Sequence, residues 1–345
     1  MSSRPTMSAV AKVAGVSIAT VDRVLNSRLP VRNGTAERVI MAAQKIGYHA
    51  TELMRQRLRE QAPFRRLGFC LQKANDPFYQ GLGAALQNAA NGMREVRCEA
   101  QIAFVDELAP VSIAAKIRAL GQQVDAIAVV ALDHPHVNEA IQELNEMGKP
   151  VFTLLSDISS PVRSGYIGTD NRKVGRTAGL LFARMTRELG EVGIFVGSHR
   201  YLGQENREIS FRSYLREHAP AFRLLDAYSN LDDQNLAYEA VLELLSSHPE
   251  LVGMYVAGGG ASGVIRALRE EPTGRRLTVI VNELTTDSRA ALIDGVIDIV
   301  IASPVAQIAQ TAVKAMIDAI DGVSAPAPLP GLSPSSFELY TAENV

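Results

Sequence analysis

Along the first fifty residues the apolar positions recur every three or four residues, the period of helices that each bury one stripe. Residues 7–26 read M-S-A-V-A-K-V-A-G-V-S-I-A-T-V-D-R-V-L-N, two short helices meeting at Gly15. Val10, Val13 and Ala14 are expected to face inward from the first helix, and Val21, Val24 and Leu25 from the second. Gly15 supplies the positive φ of a tight corner, and Ser17 stands where a hydroxyl caps the second helix. A third helix over 35–45 carries the stripe Val39, Ala42, Ala43 and Ile46; Gly47 ends it and Tyr48 can pack back on the bundle. Three such helices form a small unit with little core of its own.

From residue 67 the pattern changes. Continuous apolar runs at 67–71, 100–105, 126–132, 151–155, 192–196, 254–257, 277–281 and 297–302 alternate with helix-length stretches such as 78–93, 137–147, 172–189, 236–246 and 305–320. Strands that are apolar throughout are buried on both faces, so the alternation predicts parallel sheets flanked by helices. About 280 residues exceed one sheet of ordinary size, so two lobes are expected. Segment 166–171, Y-I-G-T-D-N, is the expected crossing strand, and 337–341 would return as an edge strand after a Pro- and Ser-rich linker. The expected organisation is a helical head over 1–50, a hinge or linker over 51–66 and a two-lobed unit over 67–345. Lobe 1 would take about 67–166 and 303–325, and lobe 2 about 167–302 and 330–345.

Charge divides the chain at the same place. Residues 1–66 hold twelve Lys or Arg against four Asp or Glu, a net of +8, and the remaining residues carry −10, so the overall −2 hides a polarised molecule. A basic head on an acidic body suits a module that neutralises phosphates. Ile18, Ala19, Thr20 and Arg23 would lie on the outer face near the start of helix two, the part that a helix-turn-helix reader inserts into the major groove. An ordinary helical hairpin with a solvated basic face is the plain alternative, but it does not explain why charge and hairpin coincide.

Ala11, Ala14, Gly15, Val16, Ser17, Thr20, Val21, Arg23, Val24, Leu25 and Asn26 make up the pattern A-x-x-A-G-V-S-x-x-T-V-x-R-V-L-N. Thr35, Glu37, Arg38, Val39, Ala42, Gly47 and Tyr48 continue it. Together they resemble the DNA-binding head of the LacI/GalR (lactose-repressor) family. The resemblance implies an N-terminal all-α helix-turn-helix head plus an α/β two-lobed periplasmic-binding-protein-like sensor, with parallel sheets flanked by helices. It assigns base reading to Ile18, Ala19 and Arg23 and backbone contact to Ser17, Thr20 and Asn26, with Met7 and Arg57 completing the DNA-facing set. Arg23 can pair bidentately with a guanine edge, whereas Ile18 and Ala19 offer apolar contact, as to a thymine methyl. Asp22 departs from the family's small hydroxyl residue and is placed to orient Arg23 or repel a phosphate. Family members also carry a short hinge helix that opens with Pro-Asn and ends in a leucine wedged into the minor groove. Here Ala50-Thr51 stands at its start and Arg57, followed by Leu58, at the wedge; Arg55, Arg57 and Arg59 could instead hold phosphates.

The resemblance also implies a ligand cleft between the lobes, at the carboxyl ends of the strands. Segment 71–79, L-Q-K-A-N-D-P-F-Y, is similar to the N-P-F-F stretch of ribose-type sugar-binding proteins. Asp76 matches a polar ligand-binding position there, and Phe78 and Tyr79 match aromatics that sandwich the sugar. A sugar ring has apolar C–H faces and a rim of hydroxyls, which suits aromatic faces with carboxylates and an arginine. A helix packed on its sheet is the plain alternative for the two rings. Ser156 and Asp157 follow the fourth strand, Arg207 aligns with the family's arginine on the second helix of the far lobe, Asn282 and Glu283 end one strand and Ser303 ends the next. Many sugar sensors have aspartate or glutamine at those strand ends, so a neutral sugar, a polyol and a sugar acid all stay open.

Residues 258–263, G-G-G-A-S-G, satisfy G-x-G-x-x-G, and Glu283 follows twenty residues after Gly263, which resembles the fingerprint of an NAD(P)-binding oxidoreductase. That fingerprint normally sits on the first strand of its domain, and here several strand–helix units precede it. The same glycines could let a helix start close to a ligand, or host an anionic group. Cys70 and Cys98 lie in predicted strands without C-x-x-C spacing, and His134 and His136 flank Pro135 in a predicted exposed loop with too few ligands for a metal. No nucleophilic triad or membrane-spanning run is recognisable, and the start M-S-S-R-P-T shows no signal peptide. The expectation is a cytoplasmic transcriptional repressor, not an enzyme, without cofactor or metal, controlled by a small sugar-like effector. One head reads few base pairs, so a homodimer on a pseudo-palindromic DNA operator is expected. The heptad tail of tetrameric relatives is not recognisable, which favours the dimer.

Overall fold

A computed structural model of the chain describes residues 5–26, 31–271, 274, 276–322 and 335–345. The chain divides into two units, residues 1–65 with 90–99 and residues 66–89 with 100–345.

The first unit begins with α1 (Met7–Ala14), α2 (Ile18–Asn26), α3 (Asn33–Lys45) and α4 (Thr51–Gln61). Thr6 starts α1 by accepting the Ala9 N–H at 3.3 Å. Gly15 turns the corner at φ 66°, a conformation that a Cβ would strain, and Ser17 Oγ accepts the Thr20 N–H at 3.2 Å to start α2. Val10, Ala11, Val21, Val24, Val39, Ala42 and Ala43 close the core, with Tyr48 folded onto it. Val13 departs from expectation and is 48% exposed. The inward stripe of α1 runs through residues 7, 10, 11 and 14, so position 13 falls on its flank.

The linker also departs from expectation. Thr51 Oγ1 donates to the Tyr48 carbonyl at 2.6 Å, and α4 then buries Met54 completely in the head core and rests Leu58 on it. Residues 51–61 thus form a fourth helix packed on the head. Its stripe is only two residues long, Met54 and Leu58 at i and i+4, which explains why periodicity did not reveal it.

The next elements are β1 (Phe64–Gln72), α5 (Pro77–Gly92), β2 (Arg97–Val105), α6 (Pro110–Gly121), β3 (Ala126–Val129), α7 (Pro135–Glu146), β4 (Val151–Leu154) and β5 (Gly165–Ile167). Their sheet has the order β2-β1-β3-β4-β5 and is parallel from β1 to β5. The chain then forms α8 (Asn171–Met185), β6 (Glu191–Val196), α9 (Leu202–His218), β7 (Arg223–Ser229), α10 (Gln234–Ser247) and β8 (Leu251–Val256). It continues through α11 (Ala261–Glu270), β9 (Thr278–Asn282), α12 (Thr286–Ile293), β10 (Ile299–Ala302), α13 (Val305–Ile320) and β11 (Glu338–Tyr340). The second sheet has the order β11-β10-β9-β8-β6-β7 and is parallel except for β11, which pairs antiparallel with β10 at the edge. Helix α13 returns to pack on β3 and β5.

Strands β3, β4, β8, β9 and β10 are buried along their whole length, which is what an unbroken apolar run in a helix-covered parallel sheet requires. Edge strand β7, R-L-L-D-A-Y-S, has no fully buried residue, and its mixed composition hid it from the hydrophobic reading. Segment 166–171 is only partly strand: β5 ends at Ile167, and Asp170 caps α8 by accepting the Lys173 N–H at 3.1 Å. His134 ends the loop and caps α7, its Nδ1 accepting the His136 N–H at 3.2 Å, while His136 departs from expectation and lies with Pro135 in the first turn of the helix. The Pro- and Ser-rich linker falls largely in 323–334, outside the described residues. Among those described, no helix is long and apolar enough to cross a membrane.

Met54→Ala is expected to cost the head about 2–5 kcal/mol, the loss for truncating a fully buried side chain. Leu53→Ala, at a position 42% exposed, is expected to cost under about 0.5 kcal/mol. Hydrogen exchange of the α1–α3 amides in the intact chain measures both; equal protection in the two variants would detach α4 from the head.

Candidate functional site

Two surfaces carry the chemistry. On the head, α2 sends Val21 and Val24 to the core and leaves Ile18, Ala19 and Arg23 exposed, with Thr20 half-buried beside them. The Ser17 and Thr20 hydroxyls lie 2.9 Å apart, so each orients the other. Asp22 does not orient Arg23: its Oδ1 accepts Asn26 Nδ2 at 2.6 Å. Arg57 donates to the Leu25 carbonyl and, at 3.3 Å, to Asn26 Oδ1. A cation there meets the negative end of the α2 dipole. Its guanidinium is thus engaged on the head's own frame. Arg55 bonds Glu52 at 2.5 Å and also Gln44, while the Arg59 side chain lies outside the described residues. Met7 is half-buried against the head core.

In the second unit a cavity of about 90 Å³ opens where strands of both sheets end. Of the residues expected there, Asp76, Phe78, Tyr79, Ser156, Arg207, Asn282 and Glu283 line it. Two others do not. Both Asp157 oxygens are taken by Arg163 Nε and Nη2, each at 2.6 Å, so this carboxylate serves its own loop. Ser303 stands behind Glu283, donating its N–H to Oε2 at 2.8 Å and its hydroxyl to Oε1 at 2.9 Å. Tyr201, Gln204 and Asp232 also line the cavity with no motif to announce them, and so do the 258–260 glycines, one of whose expected roles is to let a helix start close to a ligand.

The backbone marks this region independently. Lys73, Leu155, Leu231, Asp232 and Glu283 are the non-glycine residues of positive φ among those described, and each follows the carboxyl end of β1, β4, β7 or β9. Such conformations cost on the order of 1–3 kcal/mol each and persist where surrounding contacts impose them. Some of those contacts cross between the lobes. Ser156 Oγ accepts the Gly203 N–H at 3.0 Å, Lys73 Nζ donates to the Leu231 and Asp232 carbonyls at 3.0 and 3.2 Å, and the Asp133 N–H donates to the Arg200 carbonyl at 2.8 Å.

Asp76 Oδ1 accepts the Phe78 N–H at 2.9 Å, which starts α5 and sets the Phe78 and Tyr79 rings edge to face, 5.3 Å between centroids. Arg207 is buried and committed: Nε donates to Asn171 Oδ1 at 2.6 Å, Nη1 to the Ala257 carbonyl at 3.3 Å and Nη2 to Glu283 Oε1 at 3.4 Å. Burial pushes the Tyr79 and Tyr201 hydroxyls up, so both stay neutral donors. Tyr201 Oη and Asn282 Oδ1 are buried and have no protein partner.

Asp232 occupies the glycine loop. Its Oδ1 accepts the Gly259 N–H at 2.7 Å, and Gln204 Nε2 approaches its two oxygens at 3.2 and 3.3 Å. A Cβ on Gly197 would meet Asp232 Oδ1 at 1.9 Å, and one on Gly259 would meet it at 2.6 Å. A Cβ on Gly263 would strike the Gln234 carbonyl at 1.9 Å. These glycines make room for protein atoms, and a pyrophosphate there would meet a carboxylate instead of a free N–H. The dinucleotide expectation loses its cradle. Burial pushes the Asp232 carboxyl above the usual range, against the opposing Gly259 and Gln204 hydrogen bonds. Burial likewise pushes the Cys70 thiol up to about 12, which keeps it an inert packing group. Among the described residues no cluster of His, Cys, Asp or Glu forms a metal site.

Residues 67–324 match the family described as periplasmic binding protein domain, and residues 6–51 match the bacterial regulatory proteins of the lacI family. An uncharacterized HTH-type transcriptional regulator in the aml 5′ region of Streptomyces limosus is 26% identical over 225 residues, 62% of this chain and 58% of that protein. The ribose operon repressor of Bacillus subtilis is 35% identical over 86 residues, 25% of this chain and 26% of that protein. The chain thus spans less than two thirds of these two relatives. A solute-binding protein of an ABC transporter from Burkholderia graminis, in complex with D-arabinose, shares the fold with a TM-score of 0.73 at 22% identity, covering 81% of this chain and 96% of its own.

A carboxyl whose folded pKa is raised favours the fold fully below about pH 4, the unfolded aspartate value, and loses that contribution as pH rises through the folded value. Asp232→Asn is therefore expected to melt above the wild type at neutral pH, with the gap closing toward pH 4. Scanning calorimetry of the effector-free protein checks this, and a variant melting lower at every pH would refute it.

Proposed function

Because the chain belongs to the periplasmic-binding-protein domain family over residues 67–324 and carries a lacI-family DNA-binding head at residues 6–51, we propose that it is a transcriptional regulator whose hold on DNA is set by a small polyhydroxylated effector. The observation that carries this reading is the union, on one chain, of a basic helix-turn-helix head and a polar, aromatic-lined cavity at the strand ends. Arg23 reads a guanine edge, Ile18 and Ala19 contact base methyls, and Ser17, Thr20 and Asn26 hold the sugar-phosphate backbone. Met7 flanks this face, and Arg57 acts on DNA through Asn26 and the end of α2, which it steadies.

In the cavity Phe78 and Tyr79 cover the ring faces of the effector, while Asp76, Ser156, Arg207, Asn282 and Glu283 meet its hydroxyls. The ribose-repressor relative and the arabinose-bound fold match support a sugar-class effector. Binding biases the relative position of the two lobes, whose loops already meet at Ser156–Gly203 and Lys73–Leu231. A coupling of about 1–3 kcal/mol between effector and DNA is enough to switch occupancy. The chain acts by binding and not by turnover, represses its targets in the cytoplasm, and works as a homodimer on a pseudo-palindromic operator, since one head spans few base pairs.

Intact protein mixed with fragmented genomic DNA is expected to retain a pseudo-palindromic site in a salt-sensitive way and to release it when one sugar is supplied. No salt-sensitive retention, with or without sugars, would sink the reading. Arg23→Ala is expected to cost about 1–3 kcal/mol and to flatten preference at one operator position. Selection of bound sequences from a randomised site measures this; unchanged preference would reject the assignment. Phe78→Ala is expected to keep operator binding and lose the effector response in the same gel-shift assay.

A further inference from the structure

The charges lining the cavity do not balance. Asp76, Asp232 and Glu283 face it, and Arg207 is the cation beside them. That guanidinium already holds Asn171, Ala257 and Glu283, so its charge is matched inside the protein. Lys73 stands behind, with Nζ on the carbonyls of Leu231 and Asp232. Its charge opposes that of Asp232, so three carboxylates face two cations and the surplus is one carboxylate.

The unfilled hydrogen-bonding groups have the same bias. Asn282 Oδ1 is a buried acceptor without a partner, and Asp232 Oδ2 has only the long Gln204 contact at 3.3 Å. The Tyr201 hydroxyl, also buried and unpartnered, can accept as well as donate. Three aromatic rings, Phe78, Tyr79 and Tyr201, line the same space, and their faces attract cations. Next to the start of α11, Asp232 takes the Gly259 N–H, so an anion there would meet its carboxylate.

We infer that the effector carries a protonated amine on its polyhydroxylated frame, as an amino sugar or aminated polyol does, and that Asp232 with Asp76 selects it over neutral sugars and sugar acids. The inference rests on the proposed sensor role of the cavity. An ammonium group brings three donors and one positive charge to a site that has acceptors and negative charge to spare.

Titration calorimetry and thermal melting of the intact protein, with 2-amino-2-deoxyhexoses and aminated polyols, their parent hexoses and polyols, their N-acetyl forms and hexuronic acids, test it. An amine is expected to bind at least about tenfold more tightly than its parent and its N-acetyl form, the scale of one charge-assisted hydrogen bond. Added salt should narrow that gap, and Asp232→Asn should abolish most of it. Asp76→Asn, which keeps an α5 cap, is the second variant should Asp232→Asn not fold. A parent sugar or uronic acid that binds as tightly as any amine and releases operator DNA would overturn the inference while leaving the sensor reading intact. No binding by any compound, with operator DNA still retained, would overturn both.

Discussion

Parallel pairing is the constraint from which the rest of the sensor follows. Strands that run the same way deliver their next loops to one edge, so β1, β4, β7, β8 and β9 all place their following residues around a single cavity. That convergence crowds the loops, and crowding accounts for the left-handed backbone at Leu155, Leu231, Asp232 and Glu283. It also forces glycine wherever one loop passes against another's side chain, as Gly197 and Gly259 do against Asp232. Burial of the Asp232 carboxyl there pushes it above its usual range, against the hydrogen bonds from Gly259 and Gln204.

The same economy of small cores governs the head. Three helices alone enclose few side chains, and α4 adds Met54 and Leu58 to that core while Arg57 ties the end of α2. The surface expected to face DNA therefore rests on contacts from a segment well outside the two helices that form it. Asp22 belongs to this frame too, since it grips Asn26 from one side as Arg57 does from the other.

Much of this was legible in advance. Gly15 and Ser17 declared the corner and the cap, and the unbroken apolar runs declared the central strands, because backbone conformation and burial act locally on residue choice. Phe78, Tyr79, Arg207 and Glu283 reach the cavity from strand and helix ends that the hydrophobic pattern already located. Asp232 and Tyr201 were hidden for a physical reason: they sit in loops after β6 and β7, and β7, half-exposed at an edge, has no apolar signature to reveal the strand end before Asp232. Asp157 was misassigned because sequence adjacency to Ser156 says nothing about Arg163, which claims it. The G-x-G-x-x-G pattern misled in the opposite sense, since a glycine makes room equally well for a phosphate and for a neighbouring aspartate.

The folding of α4 onto the head has a consequence for the freedom of the chain that follows it. Only Ala62 and Pro63 separate α4 from β1. A leash of two residues reaches at most about 7 Å, and proline stiffens it further. A sixteen-residue coil over 51–66 would carry far more conformational freedom. With 51–61 folded as α4 that slack is gone, and the chain between α4 and β1 has few conformations left to lose.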